Sequence, residues 1–130
     1  MIPKYRMWNE IISRLHSVDG LYFDREVAQY KDEVGVSRFI KFQNAILMQS
    51  TGLYDKNGKE IFEGDILGVD TDEEIVNLNI YWDSKHALFM FESKKYNEKD
   101  LLAELVEDNT YPFEILGNIY ENPELLEVTE

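Results

Sequence analysis

One stretch, residues 49–67 (QSTGLYDKNGKEIFEGDIL), constrains the fold more than any other part of the sequence. Apolar and polar residues alternate on both sides of the Asn57–Gly58 pair, which is typical of two strands joined by a tight turn. A two-residue turn would place Asp55 opposite Glu60, and like charges that face each other across strands are unfavourable. A three-residue loop with Gly58 in the left-handed conformation places Asp55 opposite Lys59 instead. The sequence therefore predicts a hairpin with a three-residue loop.

This stretch does not carry the signature of a ligand loop. It lacks the Gly-Lys-Ser/Thr ending of a phosphate-binding loop, and the sequence contains no G-x-G-x-x-G. Directly after the hairpin, Glu63-Gly64-Asp65 predicts a second turn that leads into a strand from Ile66. The glycines therefore indicate turns and not a nucleotide site.

Strand patterns continue through most of the chain. The clearest is the alternation of Val76, Leu78, Ile80 and Trp82 with polar residues, which predicts a half-buried strand. Other predicted elements are a hairpin around residues 24–26, a buried strand or short helix within 38–49, a strand over 87–93 and a strand over 111–120.

Two segments have helical character. Residues 97–108 (NEKDLLAELVED) predict a helix capped by Asn97, with one apolar face. That face comprises Leu101, Leu102, Leu105 and Val106. Residues 122–126 predict a capped helical turn with a proline in its first turn. The spacing of Trp8, Ile11, Ile12 and Leu15 indicates a short amphipathic helix that includes residues 9–16, whereas residues 5–8 would also suit a strand.

These elements predict a mainly β, β-rich α+β fold of one domain over residues 1–130. Short connections favour a small antiparallel, partly open SH3-like barrel with one or two short helices over a parallel α/β sheet. The length is sufficient for a single buried core.

Composition excludes several classes of site and protein. The absence of cysteine excludes disulfides, thiolate metal sites and a cysteine nucleophile. No apolar run is long enough for a membrane span, and the N-terminal sequence does not resemble a signal peptide, so a cytoplasmic protein is expected. The net charge of −13 leaves no broad basic face for binding to nucleic acid, although Lys4, Arg6 and Arg14 could form a small basic patch.

The charge is concentrated in one half of the chain. Residues 1–65 carry 9 basic and 10 acidic residues, whereas residues 66–130 carry 4 basic and 16 acidic residues. We interpret the acidic half as a well-solvated surface. The alternative is a mimic of nucleic-acid charge that occupies a basic partner.

No set of residues predicts catalysis, a cofactor or a metal. His16 and His86 lie in unrelated contexts, without a metal-ligand spacing. Glu63 and Asp65 could form an acid/base pair only by chance among 26 acidic residues, and residues 70–74 lack the pattern of a calcium loop. Aromatic strand residues such as Tyr54, Tyr81 and Trp82 are more often core than a binding face.

Two motifs together resemble the YopX family of phage and prophage proteins. The first lies within residues 49–67 and the second within residues 113–126 (FEILGNIYENPELL). The positions that match the family's first motif are Thr51, Gly52, Leu53, Asp55, Asn57, Gly58, Ile61, Glu63, Gly64, Asp65 and Ile66. The second motif matches from Gly117 onward through Asn118, Ile119, Glu121, Asn122 and Pro123, and the opening residues 5–8 (YRMW) are also similar.

The resemblance implies a phage or prophage accessory protein of uncharacterised function in the bacterial cytoplasm, and it implies a homo-oligomer. No catalytic, cofactor-binding or metal-binding residues carry over from the family, and the binding residues are unknown. We therefore expect a non-catalytic, self-associating protein-interaction module with a possible host or phage protein partner. The alternative is an acidic decoy for a host nucleic-acid-binding protein.

Overall fold

The structure is a computed structural model and describes residues 3–127. The described chain is mainly β, with antiparallel pairing throughout the strand registers, and one sheet is curled into a half-barrel. The strands are β1 (Tyr5–Asn9), β2 (Arg14–Ser17), β3 (Gly20–Tyr22), β4 (Val27–Lys31), β5 (Ser37–Lys41), β6 (Ala45–Tyr54), β7 (Glu60–Phe62), β8 (Asp65–Asp70), β9 (Ile75–Asp83), β10 (Leu88–Ser93), β11 (Glu98–Leu101) and β12 (Phe113–Asn118). Helix α1 spans Leu102–Asp108, and 3₁₀ turns span Phe42–Asn44 and Pro123–Leu126. The predicted fold class is confirmed.

Backbone contacts divide the chain into two compact units, an N-terminal unit (Met1–Ser50) and a C-terminal unit (Thr51–Glu130). Strand β6 crosses this boundary in sequence, since Ala45–Gln49 pair with β1 and the rest of the strand leads into the hairpin with β7. Each unit has its own hydrophobic core. The single domain over residues 1–130 stays a prediction.

The core of the N-terminal unit lies against one face of the sheet β3-β4-β5. Alternation along β4 buries Ala28 and Tyr30, and Ile40 of β5 and Met7 of β1 complete the buried cluster. In an antiparallel sheet this alternation leaves the other face of each strand to solvent. The exposed face includes Phe39, which the apolar run at 38–49 had suggested would be buried.

The core of the C-terminal unit lies on a five-stranded sheet of order β11-β10-β9-β8-β12. The predicted alternation in β9 is confirmed at Leu78 and Ile80, which are buried, but Trp82 at the end of the strand is exposed. The fully buried side chains Ile61, Leu67 and Leu102 join them.

The predicted helix over residues 97–108 is wrong in its first half. Asn97 lies in a turn with a φ of 52° and does not cap the helix, which begins only at Leu102. Residues Glu98–Leu101 form β11 instead, because pairing with β10 satisfies their main chain in a ladder and overrides local helix propensity. The predicted apolar face survives in part, since Leu102, Leu105 and Val106 pack in the core.

The ambiguous segments take defined forms. Residues 5–17 form the hairpin β1–β2 and not a helix, and the Asn9 Oδ1 accepts the Ile11 N–H at 3.0 Å in its turn. The segment 38–49 contains both alternatives, strands and a 3₁₀ turn. The predicted helical turn is confirmed as Pro123–Leu126 with Asn122 at its N-cap position, but the Asn122 side chain makes no cap bond and accepts the Asn118 N–H instead.

Candidate functional site

The loop of the first motif is organised by one buried carboxylate, that of Asp55. Its Oδ1 accepts the N–H groups of Asn57 and Lys59, both at 2.9 Å, and its Oδ2 accepts the Ile115 N–H at 3.0 Å. Burial acts to raise the pKa of Asp55, but these three donors and the nearby Lys59 charge outweigh it, so the pKa is lowered. Asp55 is therefore an ionised acceptor for main-chain groups.

The predicted hairpin geometry is confirmed around this carboxylate. The Asp55 N–H donates to the Lys59 carbonyl at 2.9 Å, which places these two residues opposite each other. The Gly58 N–H donates to the Asp55 carbonyl at 3.0 Å, and Gly58 has a φ of 76°. Glycine adopts this left-handed conformation without the steric cost of a β-carbon, so the motif's glycine has a backbone role.

The second motif forms a similar self-bonded loop. The buried Asn118 Oδ1 accepts the N–H groups of Tyr120 and Glu121 at 3.0 and 2.9 Å, and its Nδ2 donates to the Glu121 carboxylate at 2.9 Å. The Asn122 side chain lies over Gly117, where a Cβ would stand 2.2 Å from its Oδ1. These motif residues therefore fix a turn.

The two motifs lie against each other within the C-terminal unit. Strands β8 and β12 pair from Asp65↔Asn118 to Phe113↔Val69, and the Ile119 N–H donates to the Gly64 carbonyl at 2.9 Å. Asn57 Nδ2 donates to the Glu114 carboxylate at 3.2 Å. The motifs therefore build one structural junction from segments that are distant in sequence.

This junction covers an edge strand. The Asp70 N–H donates to the Pro112 carbonyl, so alternation along the pair directs the main-chain groups of Phe113 and Ile115 away from β8. The hairpin loop meets both residues: the Lys56 N–H donates to the Phe113 carbonyl at 3.1 Å, and Asp55 accepts the Ile115 N–H. The loop thereby blocks this part of the edge of β12.

The edge strand β5 in the N-terminal unit has no such cover. The bonds from the Phe42 N–H to the Glu26 carbonyl and from the Asp32 N–H to the Val36 carbonyl fix which pairs along β4 and β5 exchange hydrogen bonds. Ser37, Phe39 and Lys41 belong to the other set, so their main-chain groups point away from β4. Within residues 3–127 no strand pairs with this side of β5. We call these three residues the open edge.

A depression of about 380 Å³ lies beside the open edge. Three consecutive β5 residues, 39–41, line it, which places it along the strand's edge. Ile11 and Ile12, from the turn between β1 and β2, contribute exposed apolar side chains. Sequence reasoning missed this region; the only signal was the Phe39–Ile40 pair, in which alternation allows just one of the two to be buried.

The two histidines take unrelated roles. His16 lies in the N-terminal unit with its ring centroid 4.4 Å from that of Tyr30, and burial lowers its pKa. His86 lies in the C-terminal unit, in the exposed turn after β9, where its Nδ1 lies 2.8 Å from Asp83 Oδ2. Neither environment supplies a nucleophile or a group of metal ligands.

The remaining sequence candidates are also placed. Asp65 is buried and accepts the Phe62 N–H at 2.8 Å, which gives it a role in the turn it shares with Glu63. Trp82 packs edge-on against Phe89 with the ring centroids 4.8 Å apart. Tyr54 is exposed beside a depression of about 320 Å³, and Tyr81 is half-buried in β9.

Two further expectations concern metals and basic surface. Among residues 3–127, no group of three or more His, Asp or Glu side chains is placed to hold a metal ion. In the suggested basic patch, Arg14 forms an exposed ion pair with Glu33 at 3.0 Å, which reduces the charge offered to a phosphate backbone. Among residues 3–127, no helix is long and apolar enough to cross a membrane.

Two solved structures are similar to the chain over nearly its whole length. The chain is similar to protein EF1440 from Enterococcus faecalis, with 31% identity, coverage of 98% of this chain and 99% of that chain, and a TM-score of 0.67. It shares the fold of protein yopX from Bacillus subtilis, with 20% identity, coverage of 95% and 98%, and a TM-score of 0.60. No curated protein matches it.

The family model described as YopX protein matches residues 4–127, which include both motifs and almost all of the described chain. Asp55, Gly58, Gly117 and Asn118 lie within this range, and their hydrogen bonds and conformations build the junction. The chain belongs to the YopX family.

Proposed function

We propose that this protein is a non-catalytic phage or prophage accessory protein that associates with itself and binds a host or phage protein in the bacterial cytoplasm. One observation carries the proposal, the cluster of exposed apolar side chains at the depression beside β5. Ile11 is 67% exposed, Ile12 is 49% exposed and Phe39 is 56% exposed, and all three line the depression. Exposed apolar groups that share one depression are typical of protein–protein contact surfaces.

The non-catalytic part of the proposal rests on how the motif residues are used. Asp55 and Asn118 direct their side chains to main-chain N–H groups, and Asp65 does the same within its turn. An acid/base or nucleophilic centre needs such groups to be available to a substrate. The family motifs therefore support a role in maintaining the fold.

Light scattering after size-exclusion chromatography tests self-association. The wild-type mass is expected to exceed the 15.3 kDa of one chain, because burial of the apolar depression favours assembly. The double variant Ile11→Ser/Ile12→Ser is expected to shift the mass towards the monomer. Its matched control is Val34→Ser/Val36→Ser, which removes two exposed aliphatic side chains outside the depression.

A wild-type protein that stays at the monomer mass at all concentrations would contradict self-association. An equal shift in both double variants would show that general loss of apolar surface matters and the depression does not. Circular dichroism of each variant separates loss of assembly from loss of folding.

Charge favours a second candidate function, the acidic decoy. The C-terminal unit carries 6 basic and 20 acidic residues, a balance of −14, whereas the N-terminal unit carries 7 and 6, a balance of +1. A decoy should capture nucleic-acid-binding proteins and release them at high salt, because its attraction is electrostatic. Competition between the protein and a labelled DNA duplex for one captured partner tests this; partners retained at high salt and not displaced by DNA would exclude it.

A further inference from the structure

We propose that the open edge of β5 binds an extended, acidic peptide segment of a partner protein, which adds to the sheet β3-β4-β5 as a fourth strand. This inference deepens the proposed function, since it rests on the role as an interaction module. It does not require the protein to associate with itself.

Main-chain geometry supplies the first support. Ser37, Phe39 and Lys41 alternate along β5 with their N–H and C=O groups directed away from β4. Groups of this kind are the template that an incoming strand uses when it joins a sheet. The corresponding groups of Phe113 and Ile115 in β12 are hydrogen-bonded to the hairpin loop. The β12 edge of the C-terminal unit therefore does not offer the same template.

The depression supplies specificity for side chains. Because it runs along residues 39–41, it lies where alternate side chains of an added strand would be directed. Ile11, Ile12 and Ile40 line it with apolar surface, and Ile40 lies on the face of the sheet opposite to that of Phe39 and Lys41. A small aliphatic side chain at alternate positions of the incoming segment fits these surroundings.

Charge selects an acidic segment. Arg38 is bonded to Asp32 at 2.7 Å and Arg14 to Glu33, so these four charges are already paired. Lys41 at the open edge and Lys31 on the adjacent strand are exposed, and no carboxylate among the described residues forms an ion pair with either. A carboxylate in the incoming strand would complement them, whereas a second β5 strand would bring further cations to the same edge.

Fluorescence anisotropy with labelled model peptides tests this proposal. The probe is a seven-residue peptide of alternating Glu and Val, and its control is the matching peptide of Lys and Val. We expect the acidic peptide to bind at least about tenfold more tightly, because charge complementarity at Lys41 adds to main-chain pairing. The substitution Lys41→Glu is expected to reverse the preference.

A matched pair of variants at Phe39 separates main-chain pairing from side-chain contact. Phe39→Ala and Phe39→Pro both remove the ring, but only proline removes the N–H and obstructs an added strand. We expect the alanine variant to bind the acidic peptide and the proline variant to lose at least about tenfold more affinity. Equal affinities for these two variants, with both folded by circular dichroism, would overturn strand addition.

Light scattering on the same samples separates failure of this inference from failure of the proposed function. An oligomeric wild type that, once diluted until it is monomeric, binds neither peptide would overturn the acidic segment and leave self-association intact. An oligomer that Phe39→Pro dissociates and Phe39→Ala does not would show that a second copy occupies the edge, and this would also overturn the proposal. Peptide binding by a monomeric wild type would support the inference and contradict self-association.

Discussion

The edge of β12 is covered by a loop of the same chain, whereas the edge of β5 is open. Along β12, a loop supplies Asp55 and Lys56 to the outward groups of Ile115 and Phe113, and a natural place for another strand is filled by the same chain. Along β5, the outward groups of Ser37, Phe39 and Lys41 meet no other strand among residues 3–127, and Phe39 and Lys41 line a depression with apolar side chains. Unprotected edges invite pairing with other chains, so proteins commonly cover or charge them.

The difference between the two edges shows that the motif residues protect β12 and not β5. The edge at β12 is protected by hydrogen bonds, whereas the edge at β5 carries only a lysine and an arginine as protection, and the arginine is bonded to Asp32. Phe39, exposed between them, works against that protection. The covered edge therefore stabilises the fold, and the open edge is the surface that we propose for binding.

Removing the Asp55 carboxylate should have the largest effect and make β12 resemble β5. In Asp55→Asn the amide nitrogen cannot accept the Ile115 N–H, so a buried bond and the charge on the remaining bonds are lost. We expect a loss of about 3 kcal/mol in the free energy of unfolding, measured by urea denaturation. Asp70→Asn, whose exposed carboxylate accepts only a local N–H from Asp72, is the control and should cost about 0.5 kcal/mol or less.

Equal losses in these two variants would contradict the junction. A greater tendency of Asp55→Asn to aggregate under native conditions would support the comparison directly, because an uncovered edge pairs with other chains.

A change at Gly117 perturbs the other side of the junction. In Gly117→Ala the new Cβ would stand 2.2 Å from the Asn122 Oδ1, so Asn122 must move and release the Asn118 N–H. We expect a loss of about 2 kcal/mol in thermal or urea unfolding. Gly20→Ala, where the nearest atom is a side-chain carbon at 3.3 Å, is the control, and a larger loss there would contradict this reading of the turn.

Acid should reduce the difference between wild type and Asp55→Asn. The folded-state pKa of Asp55 lies below its ordinary value of 3.8, so its stabilisation is fully present above that value and is lost as the pH falls through the folded-state pKa. The two unfolding free energies should therefore differ by a constant amount near neutral pH and converge below about pH 4. A difference that grows in acid would mean that the carboxyl is favoured in its protonated form.

The smallest change in the free energy of unfolding is expected when proline replaces alanine at position 39. Because the Phe39 N–H points away from β4, proline removes no bond of the sheet, and its unfolding free energy should match that of Phe39→Ala within about 0.5 kcal/mol. Ile40→Pro is the contrast, since the bonded set includes the buried Ile40, and it should cost about 3 kcal/mol or more. Similar costs at both positions would show that the β5 edge is assigned incorrectly.

Local patterns were sufficient to predict some of these elements and insufficient for others. The three-residue hairpin loop follows from the repulsion between Asp55 and Glu60 and from the preference of glycine for the left-handed position at Gly58. These three residues lie within six positions of one another in the sequence. The strand β11 does not, because its stabilisation by β10 overrides the helical spacing of its side chains. The bond from Ile115 to Asp55 joins residues 60 positions apart, which no local pattern reveals.

The candidate surface beside β5 was missed for a related reason. An apolar run such as Phe39-Ile40 predicts burial, but which of the two faces the core is decided by the register with β4. Likewise, Ile11 and Ile12 have helical spacing in the sequence, yet the Asx-type turn at Asn9 leaves both exposed. Exposure of these side chains is a consequence of tertiary pairing.

The separation of 60 residues between Asp55 and Ile115 also has a consequence for synthesis of the chain. A ribosome adding about 5–20 residues per second needs roughly 3–12 s to make the later motif after the earlier one. During that interval the hairpin loop has been made but lacks the donor that its second carboxylate oxygen binds. The N-terminal unit, whose boundary lies at Ser50, has by then been translated in full. We therefore expect the nascent chain to order its N-terminal unit first and to close the C-terminal sheet only when β12 emerges.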